Sequence, residues 1–220
     1  MSFDTLAPHY RWMEWLLAGR KLQRCRTAFL EEVRDAQNVL LLGEGNGRFL
    51  SEFVRINPSA NITVLDASQG MLKQAQRRLP RKLEGNRSQI QYVHANVFAW
   101  TIPLEHFDLM VSNFFFDCFR AEQLAVLVPR LARATRERAR WIISDFQIPP
   151  RGLAHWRARW IVAAMYCFFR IVTRLPARAI APVDSLLQSA RFELRTSRVS
   201  EWGLLHADLW QRPGSNAACS

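Results

Sequence analysis

A doubly wound α/β sheet of seven strands, its last strand antiparallel, is the fold this sequence predicts. Three observations predict it. The apolar run Val39 to Leu42 passes straight into Gly43-x-Gly45-x-Gly47, and helix-compatible residues follow. A buried strand that turns on glycines into a helix opens a βαβ unit. Four more apolar runs then alternate with helical stretches, which implies a parallel sheet. The last two strands are joined only by residues 199–203. So short a connection suits an antiparallel pair, not a crossover.

Residues 1–37 are expected to form a helical lid. Trp12, Trp15 and Leu16 stand at helical spacing, and Leu22, Cys25, Phe29 and Val33 share one stripe of a second helical stretch. The body of the fold is expected over 38–212. Its first strand is about 38–42, with a helix near 47–56 that stops before Pro58. The second strand is 62–66, and Ser68 is the N-cap expected for a helix over 69–79, which Pro80 ends. A basic loop covers 81–88. The third strand is 90–94 and the fourth 107–112. A helix over about 120–136 leads to the fifth strand, 141–146, closed by Pro149 and Pro150. An amphipathic helix over 153–174, a short helix near 183–190, and strands over 192–198 and 204–211 complete the order. The small, polar residues 213–220 are expected to be a disordered tail.

At 220 residues with 49% hydrophobic, the chain suits one globular domain with a sizeable core. The formal net charge of +11 favours polyanions or an anionic membrane surface, or is simply a solvated basic exterior. Cys25, Cys118, Cys167 and Cys219 show neither zinc spacing nor a disulfide framework, which fits a reducing cytoplasm. Residues 1–10 contain Asp4 and no apolar core, so no signal peptide is expected there. The longest uncharged apolar run, Trp160 to Phe169, is ten residues and too short to span a bilayer.

The glycine turn is the first candidate binding element. Glycine lets the backbone turn sharply and approach a ligand, and the helix behind it offers free N–H groups. Asp66 ends the second strand twenty-three residues after Gly43. A carboxylate at that strand tip is where a βαβ unit grips ribose hydroxyls. The dinucleotide fingerprint wants G-x-G-x-x-G, but here Arg48 occupies the third glycine's slot, which disfavours a nicotinamide or flavin cofactor.

Taken together, the motifs resemble those of the class I S-adenosylmethionine-dependent methyltransferases, which have a Rossmann-like sheet. Gly43-Glu44-Gly45-Asn46-Gly47 resembles the glycine loop beneath the methionine moiety. Asp66-Ala67-Ser68-Gln69-Gly70-Met71-Leu72 is similar to the block in which the Asp holds both ribose hydroxyls. Ala95-Asn96-Val97 stands where the family contacts adenine, and Phe107 to Ser112 resembles its fourth-strand motif. The resemblance therefore implies S-adenosylmethionine as cofactor. It implies cofactor contacts from Gly43, Glu44, Gly45, Asn46, Gly47, Asp66, Ala67, Ser68, Met71, Asn96, Val97, Ser112 and Asn113. Phe3-Asp4, Ala7, Tyr10 and Met13 are similar to the start of the ubiquinone/menaquinone C-methyltransferase group. There, the N-terminal helices cover the substrate. Leu41 replaces an acid common two residues before the first glycine, leaving Glu44 to meet the methionine amino group. Asn96 replaces an acid as acceptor for the adenine amine.

Asp117 and Tyr10 are the candidate catalytic residues. Asp117 follows the fourth strand through Ser112-Asn113-Phe114-Phe115-Phe116. It is either a base with a raised pKa in an aromatic setting or a helix N-cap. Cys118 lacks the Pro-Cys context of the RNA cytosine-C5 enzymes. Tyr10 sits in the expected lid, and no metal site is expected. The covering elements are aromatic and basic: Trp12, Trp15, Trp156, Trp160, Tyr166, Phe168 and Phe169, with arginines among them. The helix over 153–174 is either a buried lid or lies on a membrane with its arginines at the headgroups. The expected function is methyl transfer to a hydrophobic small molecule, quinone-like or lipid, by a cytoplasmic or peripheral membrane enzyme. A nucleic acid is not the expected partner. The alternatives are an RNA or protein methyltransferase that uses the basic surface, and a cofactor-binding module without catalysis.

Overall fold

The computed structural model describes residues 19–79, 89–173 and 183–214; side-chain packing is described for these except residues 165–173. Seven strands form one sheet. They are β1 (Asn38–Leu42), β2 (Asn61–Asp66), β3 (Ile90–His94), β4 (Phe107–Asn113), β5 (Thr135–Phe146), β6 (Glu193–Ser200) and β7 (Leu205–Gln211). The strand order is β3-β2-β1-β4-β5-β7-β6. The pairs among β1 to β5 are parallel, and β7 runs antiparallel to both β5 and β6. The predicted doubly wound sheet with an antiparallel last strand is therefore the fold observed.

Among the described residues six α-helices cover the sheet: α1 (Gly19–Arg26), α2 (Arg48–Ile56), α3 (Gln69–Arg78), α4 (Ala121–Ala132), α5 (Leu153–Thr173) and α6 (Asp184–Ser189). Side chains of successive strand residues alternate between the two faces. Leu41, Val64, Val111 and Ile142 pack with residues of α1, α2, α3 and α5. Leu40, Leu42, Met110, Trp141 and Trp210 pack with α4 and α6. Leu22, Cys25, Phe29 and Val33, the stripe expected of the N-terminal helix, are all buried in the first of these layers.

Ser68 caps α3 as its residue type predicts, its hydroxyl accepting the Met71 N–H at 3.2 Å. Asp108 ties β4 to the start of β1, its carboxylate accepting the N–H groups of Gln37 and Asn38.

Three boundaries differ from expectation by more than two residues. The N-terminal helical stretch does not run unbroken to Val33: α1 ends at Arg26, and the chain continues through i→i+3 bonds such as Ala28 N–H to Cys25 O, 3.2 Å. Helix α4 stops at Ala132 rather than near 136. The Ala132 carbonyl is taken by the Thr135 hydroxyl at 2.7 Å and the Arg212 guanidinium at 3.3 Å, which closes the helix end. Strand β5 then begins at Thr135, six residues before the predicted start. Its basic first half reads as loop in the sequence. Between Phe107 and Leu109 of β4 the register shifts: β5 runs from Thr135 to Arg140 over the same span, and the extra residues bulge from β5 with Arg138 in the left-handed region.

Strand order reverses between β1 and β4, because β1 leads away to β2 while β4 leads to β5. In open α/β sheets the crevice beyond the carboxyl ends of the strands at such a switch point is the ligand-binding position. The loops after β1, β2, β4 and β5 meet there.

Candidate functional site

The turn after β1 is built by glycines in the left-handed region. Gly43, Gly45 and Gly47 have φ of 59°, 65° and 79°. A Cβ on Gly43 would lie 2.6 Å from the Phe115 ring, and one on Gly47 would lie 2.6 Å from the Ala75 backbone. These two glycines let neighbouring elements close in. Around Gly45, by contrast, nothing stands nearer than the Gly43 carbonyl at 4.0 Å. The middle of the turn therefore presents open space and bare backbone.

Asp66 stands beside this space, half-buried at the tip of β2. Its carboxylate accepts the Gly45 N–H at 3.1 Å and the Ser68 N–H at 2.8 Å. Those bonds fix the carboxylate against the glycine turn, and carboxylate oxygens accept more than one hydrogen bond each. Ala67 is exposed, and its carbonyl meets the His94 ring nitrogen at 3.1 Å. Met71 is buried under the first turn of α3.

Glu44 has a structural role that its position in the sequence did not suggest. One carboxylate oxygen accepts the N–H groups of Phe49 and Leu50, both at 2.9 Å, and so caps α2, whose N-cap Gly47 has no side chain to do it. Burial pushes the Glu44 carboxyl up to about 7, against the pull of those N–H groups and of Arg26. Arg26 is itself buried, with its guanidinium 5.1 Å from the centre of the Phe114 ring. Asn46 is buried as well, and its carbonyl accepts from Arg78 at 2.7 Å.

Beyond β3, Asn96 is exposed and its side-chain oxygen accepts the Phe98 N–H at 2.9 Å, forming a tight turn. Val97 is buried behind that turn. At the tip of β4 the two predicted residues part ways. The Ser112 hydroxyl accepts from the Trp141 indole at 2.9 Å and faces the core beneath α4. Asn113 points to the other face, is only 7% exposed, and has no hydrogen-bond partner at either amide atom. An amide left so is unfavourable by about 1–3 kcal/mol unless a ligand or water satisfies it.

Asp117 lies on a single 3-10 turn after β4, and the structure brings it to a residue that sequence reasoning missed. Its backbone N–H donates to Asp145 Oδ2 at 3.2 Å. Asp145 sits at the end of β5, is buried, and takes the Phe146 N–H on its other oxygen at 2.8 Å. Burial pushes the Asp117 carboxyl up to about 6. Burial and then repulsion from Asp117 push Asp145 well above the carboxylate range. The Cys118 thiol donates to Asp117 at 3.5 Å, and burial raises it as well, so it is no nucleophile at neutral pH. Phenylalanines flank the two acids in sequence and pack on one another: Phe114 on Phe146 at 5.0 Å, and Phe115 on Phe119 at 5.0 Å between ring centres. An acid ending the strand next to the switch point was the signal that Asp145 offered. Tyr10 lies outside the described residues. Among the described residues no group of side chains could hold a metal ion.

The chain is similar in sequence and fold to known methyltransferases. Residues 39–138 match the family model described as a methyltransferase domain. A malonyl-[acyl-carrier protein] O-methyltransferase of Paenibacillus sp. (strain JDR-2) is 30% identical over 121 residues, 54% of this chain. The chain spans only 40% of the length of that relative. Among solved structures, mitomycin 7-O-methyltransferase superposes with a TM-score of 0.70 at 17% identity, over 96% of this chain and 61% of that one. The magnesium protoporphyrin IX methyltransferase from Synechocystis PCC 6803, solved with bound S-adenosylhomocysteine, gives 0.63 at 16% identity, over 86% and 83%.

Proposed function

We propose that this chain, by sequence and fold a class I S-adenosylmethionine-dependent methyltransferase, transfers a methyl group to a hydrophobic small molecule, with Asp117 as the base. The observation that carries the reading is the open turn at Gly45 with the Asp66 carboxylate bonded to it. The residues present fit the family's cofactor. Bare backbone at Gly45, a carboxylate at the β2 tip for ribose hydroxyls, and the unsatisfied amide of Asn113 are features a nucleoside-bearing ligand would use. When bound, S-adenosylmethionine supplies an electrophilic methyl group on a sulfonium.

The chain's own contribution is placement and proton handling. An acceptor hydroxyl, enol or amine gives up a proton as it is methylated. Asp117, raised to about 6, is ionised at neutral pH and basic enough to take that proton. Asp145 holds the Asp117 backbone in place, and burial together with repulsion from Asp117 raises its own carboxyl. The phenylalanine cluster beside the two acids favours an apolar acceptor. Two of the structural relatives carry names, mitomycin and magnesium protoporphyrin IX methyltransferase, that denote large ring systems as acceptors, which supports the same class here.

Titration calorimetry with S-adenosylmethionine and S-adenosylhomocysteine, against nicotinamide and flavin cofactors, tests the cofactor half. Binding of a nicotinamide or flavin in place of both would overturn it. For the acceptor, extracts from cells with and without the gene are compared by mass spectrometry for species differing by one methylene. A methylated RNA or protein, with no change among lipids and quinones, would refute the hydrophobic acceptor.

A further inference from the structure

We infer that one face of α5, together with Trp202, is a docking surface for an anionic membrane. The helix is divided. Ala158 and Val162 are 1% and 5% exposed and belong to the core beside Leu204 and Leu205. On the opposite side Leu153, Trp156 and Trp160 are 85%, 60% and 75% exposed. At 3.6 residues per turn these three fall within about 60° of one another, as a single stripe. The choice between a buried lid and a surface helix is thereby settled for the first two turns: the apolar stripe faces outward.

The stripe is framed by positive charge. Arg157 falls on one side of it and Arg159 on the other. The Arg159 guanidinium stands 5.8 Å from the Trp156 ring, and Arg157 stands 5.7 Å from the ring of Trp202. Trp202 extends the patch and is 75% exposed. It is held there against its backbone preference: Glu201 and Trp202 have φ of 56° and 61°, the left-handed region that non-glycine residues avoid. Arg157 donates to the Glu201 carbonyl at 3.2 Å, and Lys21 pairs with the Glu201 carboxylate. The loop is thus fastened in a strained form that presents an indole to the outside.

Three exposed indoles and a leucine amount to on the order of 500 Å² of apolar side chain, toward the upper end of the largest patch a soluble monomer carries, which is often a functional one. Indoles beside arginines match the boundary of a bilayer, where the ring sits at headgroup depth and the guanidinium meets phosphate. A chain of net charge +11 is drawn to such a surface from a distance. The patch lies at the carboxyl edge of β5, the edge that carries Asp145, and Gln147 just after β5 bonds to Leu204 just after Trp202, at 2.8 Å. As the place where a hydrophobic acceptor is met, it rests on the reading above; as a membrane contact it fails or stands separately.

The test is flotation of the full chain with phosphatidylglycerol-rich vesicles and with phosphatidylcholine vesicles, alongside W156S/W160S, W202S and R157Q/R159Q. The wild type is expected to float with the anionic vesicles. W156S/W160S should lose about tenfold or more in partitioning. R157Q/R159Q should lose the preference for anionic over neutral lipid. Circular dichroism checks the fold of each variant, and W202S, on a loop, carries the test if the helix variant unfolds. Failure of the wild type to float overturns the proposal. So does flotation that tryptophan removal leaves unchanged, since general positive charge would then suffice. Retention of RNA that needs the same tryptophans, without flotation, overturns it in favour of nucleic acid. Cofactor calorimetry on the same samples reports on methyl-donor binding independently.

Discussion

Substituting alanine at two glycines of the β1 turn should separate folding from cofactor binding. At Gly47 the left-handed φ of 79° costs an alanine about 1–2 kcal/mol. Its Cβ would also stand 2.6 Å from the Ala75 Cα and 2.9 Å from the Ala75 Cβ. The α3 backbone cannot swing aside as a flexible side chain would, so overpacking adds about 1–3 kcal/mol. Gly47→Ala is therefore expected to destabilise by roughly 2–5 kcal/mol, lowering Tm by roughly 5–15 °C. At Gly45 the backbone strain is similar, with φ of 65°, but the nearest atom is 4.0 Å away and no overlap is added. Gly45→Ala should remain the more stable of the two. Its methyl group, however, enters the space where a ligand would meet bare backbone, and affinity for S-adenosylmethionine should fall about tenfold or more, about 1.4 kcal/mol. Thermal unfolding followed by circular dichroism measures the first quantity and calorimetry the second. The reasoning is refuted if Gly45→Ala binds the cofactor as the wild type does, or if Gly47→Ala unfolds no earlier than Gly45→Ala.

Other expected outcomes follow from the same geometry. Asp66→Asn keeps the shape but removes the charge that holds two backbone N–H groups; cofactor affinity should fall about tenfold or more while the fold survives, read by calorimetry and circular dichroism. If Asp117 is the base, methyl transfer should rise with pH through an apparent pKa near 6, and Asp117→Asn should flatten that limb along with the rate. Glu44 binds its proton more tightly folded than unfolded, so its stabilising contribution is full below 4.5 and lost as pH rises through about 7. Glu44→Gln, which keeps the acceptor for Phe49 and Leu50, should therefore gain stability relative to the wild type across that window, by urea unfolding at each pH. Arg26→Met removes the positive charge that lowers the Glu44 carboxyl and should shift the midpoint of that window upward.

The parts of the fold that the sequence made legible are those encoded by neighbours along the chain. The glycine turn is one, because three left-handed residues need three glycines at their own positions. The Ser68 cap is another, since its bond reaches only to Met71. The antiparallel closure was readable from the short connection between β6 and β7. What escaped depends on distant partners. Helix α4 stops where Arg212, eighty residues on, takes the Ala132 carbonyl, and nothing near residue 132 signals it. The first half of β5 is basic and looks like loop; distant residues alone define it, Phe107 of β4 pairing with Thr135 and the Arg212 N–H donating to the Ala139 carbonyl.

The same division runs through the candidate site. Asp66 was legible because strand, tip and following helix are contiguous in sequence. Ser112 and Asn113 look alike from the sequence, yet alternate pleats send one hydroxyl to Trp141 in the core and leave the other residue's amide unsatisfied. Glu44 follows the first glycine, and the left-handed turn aims one of its carboxylate oxygens back at its own helix, so the acid also serves as a cap, which the sequence did not signal. Asp145 ends a strand that is otherwise apolar, and alone it reads as the start of a loop. It acquires meaning only when β4 and β5 lie side by side and bring it to the Asp117 backbone, twenty-eight residues away in sequence. The meeting of two acids from the ends of different strands is a property of the sheet order, so the order β1-β4-β5 that opens the crevice for a ligand also brings Asp117 and Asp145 together at its edge.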